Sequence, residues 1–183
     1  METLRLEIEN LVGEEWVEHV NKRGYEGGWE VLPLRCLAEH VNSHVILQGF
    51  SLEGEQAWEN LPVLDKLPTI KHFLDGFGQA LKSARLMKLK AGATIHPHSD
   101  AYIAKEMGEI RLHLAISGCD GVQFLVAEKE VPMRSGELWY INADQTHSVK
   151  NTGEQSRLNL VIDCIVDDTI DKMFAQATQV SKG

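Results

Sequence analysis

Cysteine is scarce in this sequence, and its count of 3 is odd. Cys36, Cys119 and Cys164 lie far apart, which excludes both a disulfide framework and a Cys-x-x-Cys metal or redox pair. They read as small apolar fillers in a reducing compartment. Long apolar runs are missing too, since nothing approaches the roughly 20 residues of a membrane span. The opening METLRLEIEN interleaves charge with Leu and Ile, so it has no apolar core of a secretory signal, and a cytoplasmic protein is expected. Positive charge is under-represented, with 18 Lys and Arg against 27 Asp and Glu. A polyanion-binding surface needs clustered cations, and the densest groupings are only Lys22-Arg23 and the stretch from Arg85 to Lys90. A small-molecule or peptide substrate is therefore expected, with no nucleic-acid and no membrane partner. No repeat and no Ser/Pro/Gly-rich linker divides the 183 residues, so residues 1–183 are expected to form one domain.

What is present changes texture along the chain. Residues 1–10 alternate as a short strand would, and Glu14 to Asn21 carries Trp16, Val17 and Val20 at helical spacing. Gly27-Gly28 breaks into the strand candidate WEVLPLRC. Residues 38–66 are weakly patterned and read as a long loop. Pro68 suits the first turn of a helix reaching about Gly78, with Ile70, Phe73, Leu74 and Phe77 on one face. From Ser83 onward, seven short runs follow: Arg85 to Lys90, Thr94 to Asp100, Ile110 to Ile116, Val122 to Ala127, Glu137 to Asn142, His147 to Lys150 and Arg157 to Val166. The separators contain Gly92, Gly121, Gly136 and Gly153, each expected to supply positive φ. Seven strands preceded by helices predict a mainly β fold, a double-stranded β-helix (jelly-roll, cupin-like) barrel with its core at about 83–166 and a few flanking helices. Asp167-Asp168 can cap a last helix whose buried stripe is Ile170, Met173 and Phe174.

The chemistry-bearing text begins at Thr94-Ile95-His96-Pro97-His98-Ser99-Asp100. On a strand, His98 and Asp100 share a face because successive side chains alternate. His147 opens a later strand. Two histidines and one carboxylate leave three positions of an octahedral site open, which suits iron(II) better than the closed, thiolate-rich sites of structural zinc. A bare His-x-Asp is weak evidence; its context is what counts, with His147 eight residues after Trp139 and Arg157 ten residues after His147. Arg157 shares parity with Asn159 and Val161, opposite Leu158, Leu160 and Ile162. An inward guanidinium there would match the remote carboxylate of 2-oxoglutarate in a two-pronged geometry, whereas an outward one would be an ordinary surface arginine.

Taken together, the motifs resemble the aspartyl/asparaginyl β-hydroxylases. They are Arg85-Leu-Met-Lys-Leu-Lys-Ala-Gly-Ala-Thr-Ile-His-Pro-His98-Ser-Asp100, Arg111-Leu-His113-Leu, Gly136-Glu-Leu-Trp139, His147-Ser-Val-Lys-Asn151 and Arg157-Leu, with Gly27-Gly28-Trp29 as a fainter match. The resemblance implies Fe(II), 2-oxoglutarate and O2 as cofactor and co-substrates, and hydroxylation of an unactivated carbon in an amino acid, an amino-acid side chain or a related small molecule. It implies metal ligation by His98, Asp100 and His147, with Arg157 on the distal carboxylate. Arg111 and His113 look like the family's second polar pair near the 2-oxoglutarate or substrate carboxylate; from the sequence, a salt bridge of Arg111 to Asp163 or Glu109 is the alternative. Some vertebrate members replace the carboxylate ligand by glycine, while Asp100 is kept here. The chain ends soon after the barrel, with no room for the extra helical region of proline-hydroxylating relatives, so substrate identity is not carried over.

His96 shares the parity of His98 and is expected to be peripheral to the metal, because the family pattern uses the histidine after the proline. Trp29, Arg35, Tyr102, Trp139 and Asn142 are candidate substrate contacts, although Trp16, Trp58 and Trp139 are equally candidates for the core. The loop from Asp100 to Glu109, with Gly108, is expected to close over the mouth of the site. Two other functions share the barrel: a metal-dependent cupin of another type (an isomerase or a 2-oxoglutarate-independent dioxygenase), and a non-catalytic jelly-roll binding module. Arg157 discriminates against the first, and metal binding against the second.

Overall fold

The computed structural model describes residues 2–11, 16–48 and 57–178. All seven predicted strands from Ser83 onward are formed: β5 (Leu81–Leu89), β6 (Thr94–His98), β7 (Glu109–Ser117), β8 (Val122–Val126), β10 (Leu138–Ile141), β11 (His147–Asn151) and β12 (Arg157–Ile165). The short strands β1 (Val17–Glu18), β2 (Tyr25–Glu26), β4 (Trp58–Asn60) and β9 (Lys129–Glu130) and the long β3 (Trp29–Leu37) complete two antiparallel sheets. One sheet runs β1-β3-β5-β12-β7-β10 with β4 added to β3, and the other runs β2-β6-β11-β8-β9. This is the expected jelly roll.

Alternation along the central strands of the larger sheet gives its two faces opposite characters. Ala84, Leu86, Leu112, Leu114, Leu158, Leu160 and Ile162 are buried in one cluster with Leu4, Ile8, Ile70, Leu74 and Ile170, which come from the flanking helices α1 (Glu2–Glu9), α3 (Pro68–Asp75) and α4 (Asp168–Gln176). The opposite face carries Arg85, Met87, Leu89, Arg111, His113, Arg157, Asn159 and Val161 and lines a cavity of about 380 Å³ between the sheets. A smaller apolar cluster of Tyr25, Trp29, Leu89, Ile95, Phe124 and Val149 packs around that cavity. The parity read from the sequence for Arg157 therefore corresponds to the inner face.

The N-terminal third departs from expectation. Residues 2–9 form a helix, because Leu4 and Ile8 lie one turn apart and are both buried, whereas Leu6 between them is 48% exposed; a strand would have put all three on one face. The expected helix over Glu14 to Asn21 is not formed where it is described: Val17 and Glu18 pair with Val31 and Glu30 of β3, and residues 12–15 lie outside the described residues. The expected loop 38–66 contains α2 (Val45–Gln48), β4 and a 3-10 turn over Pro62–Lys66 that buries Val63 and Leu64; residues 49–56 are outside the description. Gly92, Gly121 and Gly136 have the expected positive φ of 77, 74 and 90. Gly153 does not, and is needed because a Cβ there would collide with the Asp120 carbonyl. Asp167 caps α4 by accepting from the N–H groups of Thr169 (2.9 Å) and Ile170 (3.0 Å).

Candidate metal centre

His98 and His147 are register partners on neighbouring strands β6 and β11, so their rings meet with centroids 4.2 Å apart. Asp100 lies just past the end of β6, where its N–H donates to the Ala143 carbonyl (2.8 Å) and turns its carboxylate back towards the histidines. One ligand atom from each of the three residues lies within 4.8 Å of the others. Each imidazole is oriented the same way: Nδ1 of His98 sits 2.9 Å from the His96 carbonyl, and Nδ1 of His147 sits 3.0 Å from that of Gln145. A carbonyl partner places the proton on Nδ1 and leaves Nε2 with its lone pair free. Burial, opposed in part by the Gln145 carbonyl, pushes His147 below the ordinary imidazole value and so favours the neutral form. Two imidazole nitrogens and a hard oxygen, open on the cavity side, are a donor set that fits an octahedral divalent cation with room for further ligands.

His96 is separated from this group by a β-bulge. Between His147 and Val149 the partner strand advances from His98 to Ile95, one residue more, so Ile95 and His98 both face the cavity. His96 is turned out instead, with Nε2 3.6 Å from Glu26. Its shared parity with His98 is cancelled by the inserted residue.

Behind the triad lies an ion network that links three strands. Asp163 on β12 is register partner to both Ser83 on β5 and Arg111 on β7. Arg111 donates to Asp163 through Nε (2.7 Å) and Nη2 (3.1 Å), and its Nη1 is bonded to the Asp100 carboxylate. Arg85 donates through Nη1 to Asp163 (2.9 Å) and to Ser83 (3.0 Å). Burial alone pushes the Asp163 carboxyl up, but Arg111 and Arg85 overcome it and hold the group far below the usual carboxylate range. Burial lowers Arg111 as well, and Asp163 and Asp100 reverse that and raise it. The salt-bridge alternative for Arg111 is thus the pairing that forms.

Arg157 differs from these. It is 6% exposed, and among the described residues it has no carboxylate partner. Its guanidinium carbon lies 5.3 Å from the Phe124 ring centroid, Nη2 is 3.5 Å from Met133 Sδ, and with the Asn159 amide oxygen turned inward Nη2 donates to it at 2.5 Å. Burial draws it down to about 10, so it stays charged at neutral pH. His113 lies beside it, with Nδ1 3.3 Å from the Asn159 amide and its ring edge-on to Phe124. Burial, then the Arg157 and Arg111 charges, keep His113 neutral, well below the ordinary value.

Of the candidate substrate contacts, Trp29 lines the cavity, stacked on His19 at 3.6 Å. The others do not line it. Arg35 points to the far side, donating to the Lys82 carbonyl (3.1 Å) and to Asn60 (2.8 Å), because a register shift in β3 near it changes its face. Tyr102 is 65% exposed at a turn with φ 68, and Trp139 donates to Glu137 (2.9 Å) against the smaller apolar cluster. The buried Asn142 Oδ1 has no hydrogen-bond partner among the described residues and lies outside the lining. Sequence reasoning missed Arg85 and His19. A charged residue inside the buried run of β5 was a signal for the first, whereas His19 stood in a segment read as helical. The loop from Asp100 to Glu109 forms one wall of the site: Ala143 and Asp144 donate to the Ile103 carbonyl, Lys105 N–H to the Tyr140 hydroxyl (3.0 Å), and Lys105 pairs with Asp171 (2.8 Å). Ala101 and Ile103 of this wall line the cavity.

No helix among the described residues is long and apolar enough to cross a membrane. L-proline cis-3-hydroxylase 1 of a Streptomyces species is 27% identical over 97% of this chain and 61% of its own length. L-proline cis-4-hydroxylase of Rhizobium meliloti is 32% identical over 46% of this chain and 30% of its own. The chain thus spans about three fifths of the first of these relatives and less of the second. The crystal structure of a predicted oxalate decarboxylase from Thermotoga maritima covers 83% of this chain and 91% of its own at 18% identity and a TM-score of 0.46. Residues 1–166 match the family described as Aspartyl/Asparaginyl beta-hydroxylase, and the chain belongs to that family.

Proposed function

We propose that this chain is an iron(II)- and 2-oxoglutarate-dependent dioxygenase that hydroxylates an unactivated carbon of an amino acid, an amino-acid side chain or a related small molecule. The observation that carries the proposal is Arg157, a buried guanidinium that has no carboxylate partner among the described residues and lines the same cavity as the His98, Asp100 and His147 group. A buried charge left alone is costly, so its retention beside a metal-fitting triad supports an anionic ligand that completes it. Residues 1–183 are read as one catalytic domain around that site.

His98 and His147 would hold the iron through Nε2, and Asp100 through the oxygen that Arg111 leaves free. When bound, iron(II) with 2-oxoglutarate and O2 supplies the oxidising power for the carbon–hydrogen bond. The protein supplies position and dryness. Arg157, with Asn159 and His113 beside it, grips the remote carboxylate of 2-oxoglutarate in a fork that fixes its direction. Arg111 acts on Asp100 and not on the co-substrate. Trp29, Phe124, Val149 and Ile103 exclude water from the remaining volume. The cavity, at about 380 Å³, is the size of a co-substrate plus a small substrate or a single side chain. The relatives' names favour a free amino acid. A cupin that recruits His96 as an extra ligand is disfavoured by the outward turn of that ring.

The test is anaerobic titration with iron(II) followed by 2-oxoglutarate, watching for the visible charge-transfer band of the chelate. Amino-acid-stimulated release of succinate is then measured in air. A protein that binds iron(II) without any 2-oxoglutarate-dependent band would refute the proposal in favour of a different metal barrel.

A further inference from the structure

Asp163 has no access to solvent and is not among the residues that line the cavity of the candidate metal ligands. It receives two donors from Arg111, whose remaining nitrogen bonds to one oxygen of Asp100. It also receives one donor each from Arg85 and Ser83. Here one carboxylate serves two arginines, and the second end of one of them is placed on a metal-ligand carboxylate.

We infer that Asp163 is a positioning and charge-balancing residue for the divalent cation: it fixes Arg111 so that a single oxygen of Asp100 is tied down and the other is left to the metal. This inference rests on the metal reading of the triad. Its physical basis has two parts that act in the same direction. Paired to Asp163, which it shares with Arg85, Arg111 has part of its charge offset and donates one hydrogen bond to Asp100; without Asp163 it would be a fuller counter-ion for Asp100 and compete with the metal for that charge. Among the described residues, three guanidinium groups, Arg85, Arg111 and Arg157, line the cavity, and the carboxylates that meet them are Asp100 and Asp163, with Glu18 at the rim paired to Lys22. Loss of the Asp163 charge makes the cavity more positive, which repels a cation and attracts an anion. A residue that only held the fold would not separate the two.

The variant Asp163→Asn in the full chain keeps shape and removes charge. Cobalt(II) affinity, read from its visible absorption, should fall about 10- to 100-fold, the usual effect of losing a group that orients a ligand. Affinity for 2-oxoglutarate at saturating cobalt(II) should be unchanged or tighter. Cobalt(II) affinity within about twofold of the parent, or equal weakening of both ligands, would overturn the inference. Should Asp163→Asn fail to fold, Asp163→Asn with Arg85→Gln restores the cavity's charge balance yet still leaves Arg111 to Asp100 alone. Weakened cobalt(II) binding is expected there too, and parental binding overturns the inference. If the parent itself binds no cobalt(II), the metal reading falls and the inference with it; if the parent binds and the variants bind equally well, only the inference falls.

Discussion

Replacing Arg157 by Met should change ligand affinity and stability in opposite directions. Arg157 is 6% exposed, and among the described residues its guanidinium has no carboxylate partner and lies against Asn159, Met133 and the Phe124 face. Without it, the remote carboxylate of 2-oxoglutarate would be desolvated with no counter-ion, which typically costs about 2–5 kcal/mol, or about 30-fold to several-thousand-fold in affinity. The ligand-free protein should instead gain, because exchanging a buried charge for an apolar chain of similar length stabilises by about 1–4 kcal/mol in comparable settings. For a protein of this size each kcal/mol moves Tm by about 2–4 °C, so Arg157→Met should melt at least that much higher without ligands. With a redox-silent divalent metal and 2-oxoglutarate at about 100 times the parental Kd, the parent should gain about 2.7 kcal/mol from ligand binding. At the same concentration the variant should gain less than about 0.9 kcal/mol, and close to nothing at the larger affinity losses. Scanning calorimetry with and without 2-oxoglutarate, beside titration calorimetry for affinity, reads both effects. Arg157→Lys should recover part of the affinity, since an ammonium gives a point charge where the fork gave two aligned donors. A variant that binds 2-oxoglutarate as tightly as the parent, or that melts lower while keeping the parental ligand shift, would refute the reasoning.

Asp100→Ala and His147→Ala should each abolish turnover and sharply weaken metal binding while far-ultraviolet circular dichroism is preserved; His96→Ala should leave metal affinity within about twofold, and a larger loss there would mean that the wrong histidine was chosen. Burial, then the Arg85 charge, lowers His19 to about 4, and burial also keeps His113 neutral. Unfolding frees both to take up a proton below about pH 6.5, so stability should fall as pH drops from about 6.5 towards 4, by up to about 1.4 kcal/mol per pH unit per histidine. His19→Phe should remove one proton's worth of that slope in urea midpoints taken between pH 7 and 5, and an unchanged slope counts against a depressed His19. Gly118, at φ 67, packs where a Cβ would strike the Ser156 carbonyl just before Arg157. Gly118→Ala should therefore destabilise by about 1 kcal/mol or more and weaken 2-oxoglutarate binding through displacement of β12, and a stabilised variant would contradict the packing.

What the sequence by itself determined is the part written in short-range periodicity. Period-two alternation in Arg157 to Val166 already separated Arg157 and Asn159 from Leu158, Leu160 and Ile162, and the structure keeps that division, because a strand's faces depend only on its own backbone. The glycine-marked turns and the Asp167 cap were legible for the same reason. The His98, Asp100 and His147 group was legible as a motif, and the pairing of β6 with β11 brings it together. Tertiary structure alone decided the rest. A bulge against β11 separates His96 from His98, which no local pattern records, since a bulge exists only relative to a partner strand. Residues 2–9 alternate like a strand, yet a helical surface on α3 and the sheet buries Leu4 and Ile8 and makes them a helix. Arg35 and Asn142 have the chemistry of a binding site but lie outside the cavity lining, Arg35 through a register shift in β3, while Trp139 shares the face of its partner His113 yet packs into the smaller apolar cluster and not into the lining. The buried acid of β12 announced that it needs a cation. Only the placement of β5 and β7 on either side of β12 made that cation two arginines, one of which reaches Asp100.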